Sequence, residues 1–314
     1  MLIIFLQILP LFIIITFGWL LTKFNVANQS WLKPIGDFAL YIGFPALIFG
    51  NLTVSKIDFN LVGDSFLRYS SLLFGVLFIF LLLINFITKS KTLKATYLIS
   101  LLFGNAAFLG IPLLVSIDSS LSQIASLNAA VMLFWVFSIG LFIVERYTLE
   151  QPNTFRILKN LIKNPLLLSV LFGFLFNFLE IRIPKFIHLP IEMLGYAVSP
   201  MVMLMIGVFI AIHPPKSTKE LKSPLVYSFF KLLFFPFLGL ITFYFLSKEI
   251  EISAITQFAM PAAITPFVLA ERYKLNKEFI CNSIIVSTIL SLITIPTVIN
   301  LIDYFNDFIE PINW

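Results

Sequence analysis

The chain has 314 residues, of which 59% are apolar and only 12% charged, and its mean hydropathy is +1.00. Soluble domains carry about 45–50% apolar and about 25% charged residues, so this composition excludes a soluble enzyme and makes a bilayer the main solvent. The net charge of +5 sits in short Lys/Arg clusters between apolar runs, with no basic domain of the kind that binds nucleic acid.

Apolar runs fall at 2–22, 34–53, 65–88, 95–117, 122–145, 161–182, 189–212, 224–247, 252–271 and 278–302. At about 20 residues per crossing they predict an all-α polytopic membrane protein with ten transmembrane helices. The first run lacks a charged n-region and a small-residue cleavage site and reads as a retained helix. Asp37, at the inner start of the second, reads as interfacial. The third carries Asp64 and Arg68 at its outer end, four residues apart and so on one helix face. Lys231 lies about eight residues into the eighth run, roughly 12 Å from the inner boundary, and is expected to snorkel toward the surface. The phenylalanine rows read as lipid-facing bulk. His188 and His213 sit beside loops without partner ligands, and Cys281 is the only cysteine, so neither a metal site nor a disulfide is expected.

The basic residues set an orientation. With the N-terminus outside, Lys23, Lys33, Lys89, Lys91, Lys94, Arg146, Arg156, Lys159, Lys163, Lys216, Lys219, Lys222, Arg272, Lys274 and Lys277 fall in cytoplasmic loops. Only Lys56, Arg68, Arg182, Lys185 and Lys248 fall opposite, which predicts a multi-pass protein of the cell inner membrane with both termini outside. The longest hydrophilic stretch, Glu145 to Lys163, divides five runs from five. Five is odd, so homologous halves must cross in opposite senses. The expected organisation is therefore a first five-helix repeat at 1–150, a linker at 151–160 and an inverted second repeat at 161–314. Pro45 and Pro200, and Ala106-Ala107 and Ala262-Ala263, stand at matching places in the two halves.

The fourth and ninth runs break helical rules in mid-membrane. The fourth reads GNAAFLGIPL from Gly104 to Leu113 and the ninth MPAAITPFVLAERY from Met260 to Tyr273. Gly104, Asn105, Gly110 and Pro112 in one, and Pro261, Thr265 and Pro266 in the other, combine flexible backbone, polar groups and missing N–H donors. Unsatisfied backbone in hydrocarbon costs several kcal/mol per group, so such breaks persist only where they line a cavity or pack in protein. Two helices crossing at their breaks would present half-helix N-termini to anions and free carbonyls to cations. These residues are the candidate substrate site, with Asp64 and Arg68 as a supporting charge pair.

These motifs resemble those of the auxin efflux carrier family, which includes plant auxin carriers and bacterial carboxylate permeases. GNAAFLGIPL is similar to the family's Asn-containing fourth-helix motif, and ITPFVLAERY to its ninth. Weaker matches are Phe44-Pro45, Glu145-Arg146-Tyr147 and the Asp64/Arg68 pair. The resemblance implies two inverted five-helix repeats, crossed fourth and ninth helices, a scaffold and a transport domain, elevator-type alternating access for an organic anion, Asn105 at the substrate and a homodimer. Ile48 stands where plant carriers have a serine, Ala262 where they have a polar residue, and Val131 to Phe134 where they carry amides; Asn128 lies nearby out of register. A small dicarboxylate is therefore preferred over auxin. The long cytoplasmic loop of plant members is absent.

A sodium-coupled symporter of the bile acid type is the alternative. It needs a mid-membrane cluster of acids and carbonyls, toward which the ninth run offers Gln257 and Thr265. A non-transporting membrane receptor is a further alternative. An intramembrane enzyme needs a nucleophile or metal set within the helices; with both histidines beside loops and the acids read as interfacial, none is expected, and neither is a cofactor.

Overall fold

The computed structural model describes residues 2–54, 59–149, 155, 159, 162–215, 217–246 and 251–309. Helix dominates them; the β geometry among them is a single antiparallel bridge, Gly104 to Ala262. Seven helical stretches are long and apolar enough to cross a bilayer: Ile4–Lys23, Gln29–Thr53, Gly63–Ile87, Ser119–Thr148, Lys185–Ile212, Thr218–Phe243 and Lys277–Asn306. The three remaining predicted runs fall short for physical reasons. The fourth is divided into Lys91–Leu102 and Ala106–Ile117, the ninth into Ile252–Phe258 and Thr265–Arg272, and the described helix of the sixth, Pro165–Phe178, has 14 residues. Large apolar side chains cover the outer surface, among them Phe78, Phe86, Phe178 and Phe186, each more than 60% exposed. Such a surface is stable in lipid and not in water.

Proline explains most of the irregular turns. Phe44, Ile111 and Phe235 each donate to a carbonyl five residues back, at Ala39, Ala106 and Phe230, and each immediately precedes a proline. These wide turns give room to Pro45, Pro112 and Pro236, whose rings would collide with the carbonyl four residues back in a regular helix. The fourth wide turn, Val136–Gly140, has no proline; the Ser138 hydroxyl instead donates to the Phe134 carbonyl.

The helices pack in two groups. Leu2–Lys23, Phe44–Val54, Pro165–Phe178 and Lys185–Ile212 pack on one another. In the second group Phe59–Ile87 packs on Ser122–Trp135, Lys91–Leu102 on Leu141–Thr148, Lys222–Phe229 on Lys277–Ile309, and Ile252–Phe258 on both Ser122–Trp135 and Lys277–Ile309. Each group draws helices from both halves of the sequence. In the first group backbones touch: a Cβ on Gly207 would lie 1.9 Å from the Ile15 carbonyl oxygen, and one on Gly18 would lie 2.1 Å from that of Leu204. Glycine at both places permits the close crossing typical of membrane helices.

Candidate functional site

The two broken helices meet at their breaks. Asn105 N–H donates to the Pro261 carbonyl at 2.8 Å, and Ala263 N–H donates to the Phe103 carbonyl at 2.9 Å. The crossing thus satisfies the backbone groups that the breaks release, as hydrocarbon surroundings require. The Ala262 N–H finds the Ser287 hydroxyl at 3.0 Å, the Ser100 carbonyl accepts from the Tyr227 hydroxyl, and the Leu101 carbonyl accepts from Lys231 Nζ at 3.0 Å. Gly104, Asn105, Gly110, Pro261 and Pro266 are buried here, and Pro112 and Thr265 are half-buried. Gly104 and Gly110 permit close packing: added Cβ atoms would lie 3.0 Å from Lys231 Nζ and 3.2 Å from Met260 Cγ respectively.

Asn105 holds the crossing through its backbone. Its side chain, 3% exposed, does not cap the following helix, and its Oδ1 has no hydrogen-bond partner. Nearby, Gln257 donates from Nε2 to the Ala125 carbonyl at 2.7 Å while its Oε1 is also without a partner. Two buried amides with open acceptor oxygens thus lie in or beside the broken backbone.

Lys231 corrects the snorkelling expectation. It is 5% exposed, points into the protein and lines a cavity of about 20 Å³ with Tyr69, Met132, Gln257, Phe258 and neighbouring apolar side chains. It lies in the wide turn Phe230–Phe234, where helical periodicity is interrupted, so depth along the sequence misjudged the direction of its side chain. The expectation that the acids are interfacial also fails at Glu145, which is fully buried and accepts from the Tyr273 hydroxyl at 3.2 Å. That bond ties the end of the fifth predicted run to the end of the ninth.

Asp64 and Arg68 do face one another, at 3.8 Å, with the Asp64 side chain 66% exposed and that of Arg68 33% exposed. Sequence reasoning missed the third member of this group, Glu251. Its carboxylate accepts from Asn128 Nδ2 at 2.8 Å and interacts electrostatically with Arg68. Asn128, set aside as out of register, is fully buried and also approaches the Ser253 hydroxyl at 3.2 Å. A polar residue amid the apolar fifth run was the available signal. One residue beyond Arg68, and on a different face of the same helix, Tyr69 packs its ring against Phe258 at a tilt and lines the Lys231 cavity, so a single helix carries both the charge group and a neighbour of the crossing. Beside Asp64 and Arg68, Gly63, Phe66 and Leu67 join Leu127, Val131 and Phe134 and the helix Pro165–Phe178 around an apolar cleft of about 790 Å³ between the two helix groups.

A lipid-facing helical bundle with two broken helices paired at their centres is the architecture of a membrane carrier. Comparison with known proteins agrees and narrows the class. The profile of a family described as membrane transport protein matches residues 3–299. An uncharacterized transporter of Methanocaldococcus jannaschii, MJ1031, is 26% identical over 309 residues, covering 92% of this chain and 95% of that one. The chain belongs to the membrane transport protein family, that of the auxin efflux carriers.

Proposed function

We propose that this multi-pass membrane protein is a secondary transporter of a small organic anion, working by elevator-type alternating access. The substrate site is the crossing, formed by Asn105, Gly104, Gly110, Pro112, Pro261, Thr265 and Pro266, with Asp64 and Arg68 in support. The observation that carries this reading is the Asn105 amide, buried where two broken helices pair: its Nδ2 can donate to a carboxylate, and its unpartnered Oδ1 can accept from a substrate hydroxyl or a water. A buried amide that is neither a cap nor a stitch is costly unless a ligand uses it.

The two helix groups support the elevator: one holds the crossing and moves, the other is closely packed through Gly18 and Gly207 and stays fixed. Ten crossings in two inverted repeats with N-out, C-out orientation in the inner membrane complete the account. Uptake by purified protein in liposomes, over a panel of mono- and dicarboxylates with and without sodium and pH gradients, tests it. Saturable uptake of a carboxylate is expected. Strict sodium dependence would favour the bile acid type of symport, and uptake of none of the panel would overturn the anion reading.

A further inference from the structure

Lys231 is the buried cation that the proposed function does not use. Among the described residues no carboxylate forms a salt bridge with it, and its one hydrogen bond is to the Leu101 carbonyl, immediately before the crossing. An ammonium has three donors and a full charge, and a single neutral carbonyl satisfies neither. Intramembrane charges of this kind are retained where a function uses them. The surroundings of Nζ are those of a receptor. Gly104 leaves the ammonium open to the bridge, since a side chain there would start 3.0 Å from Nζ. The adjoining cavity of about 20 Å³, lined also by Gln257, admits one water or one carboxylate oxygen.

We propose that Lys231 is the charge that recognises the carboxylate of the transported anion, its ammonium donating to a carboxylate oxygen beside Gly104. This rests on the reading of the crossing as the substrate site and adds the group that makes that site selective for anions. Binding a monoanion would cancel the buried charge, so the moving helix group would carry one unit of positive charge less when loaded than when empty. A charged substrate is then favoured over its uncharged amide by the charge-assisted bond.

The test compares wild type, Lys231→Met and Lys231→Arg in liposomes. Uptake of lactate, succinate and malate is measured, together with competition by succinate and by succinamide. Methionine fills similar volume without charge, so the variant should keep or raise its ligand-free melting temperature. Its carboxylate uptake at subsaturating concentration should fall about 10- to 150-fold, as loss of a hydrogen bond to a charged group requires. Succinate's advantage over succinamide should disappear, and Lys231→Arg should keep part of it. A purely structural lysine would alter both competitors alike. Gly104→Ala, which crowds the ammonium directly, should raise KM for carboxylates and serves as the second variant if the methionine protein does not fold. Carboxylate uptake within twofold of wild type in a folded Lys231→Met protein, or unchanged KM in Gly104→Ala, would overturn this inference and leave the transport reading standing. Wild type that takes up no carboxylate would overturn both.

Discussion

Replacing Asn105 by alanine separates binding from architecture. The backbone bonds survive the change, because Asn105 N–H to Pro261 and the Asn105 carbonyl's bonds from Leu109 N–H at 2.9 Å and Gly110 N–H at 3.0 Å do not involve the side chain. Removing a buried acceptor without a partner relieves a desolvation penalty of about 1–3 kcal/mol, which the lost packing of the amide offsets, so ligand-free stability should change by no more than about 1–2 kcal/mol. A hydrogen bond from the amide to an anionic substrate contributes about 1.5–3 kcal/mol, and its loss weakens binding about 10- to 150-fold. Thermal denaturation of the detergent-solubilised protein, paired with concentration-dependent uptake in liposomes, measures both. A variant that melts far below wild type yet transports with unchanged KM would show that the side chain supports the crossing and does not contact substrate.

Gly207→Ala should destabilise by at least about 1–3 kcal/mol, since its Cβ meets backbone of Ile15 and Trp19 that has no rotamer to escape into. Gly75→Ala, which meets nothing within 4 Å, is the control and should melt no lower than wild type. Asp118 accepts from the Ser120 N–H at 2.8 Å, and this bond holds its carboxyl below the usual carboxylate range. A lowered folded-state value means that its contribution is present above the unfolded carboxylate range and is lost as pH falls through the lowered value. The melting-temperature difference between wild type and Asp118→Asn should therefore shrink in strong acid; a pH-independent difference would assign the cap no charge component. Single cysteines in a Cys281→Ser background should be labelled from the cytoplasm at Lys91 and Lys219 and from outside at Ser119, and the reverse pattern would invert the topology.

The crossing was legible in the sequence because its causes are residue types. Glycine, asparagine and proline in mid-membrane break a helix whatever surrounds them, and matched breaks in two halves suggest that each satisfies the other. Legible too were the helical class and the Asp64–Arg68 pair, both matters of short-range spacing. Lys231, Asn128 and Glu251 were not, because their roles depend on which face each helix turns toward its neighbours. The wide turn at Phe230–Phe234 shifts that face, and Glu251 reaches Asn128 across 123 residues of sequence. The apolar runs likewise concealed the close crossing at Gly18 and Gly207, since glycine in a membrane helix has no partner until tertiary structure supplies one.

The most direct test of the central claim, that the crossing is where substrate binds, is protection of a cysteine placed there. Thr265→Cys in the Cys281→Ser background, reconstituted in liposomes, would be treated with a membrane-permeant maleimide with and without the carboxylate that gives the highest uptake. Labelling of Thr265→Cys should slow with carboxylate concentration, half-maximally near the KM for uptake, while Ser119→Cys labels at an unchanged rate. Equal labelling of Thr265→Cys with and without saturating carboxylate, in a protein that still transports it, would place the substrate elsewhere.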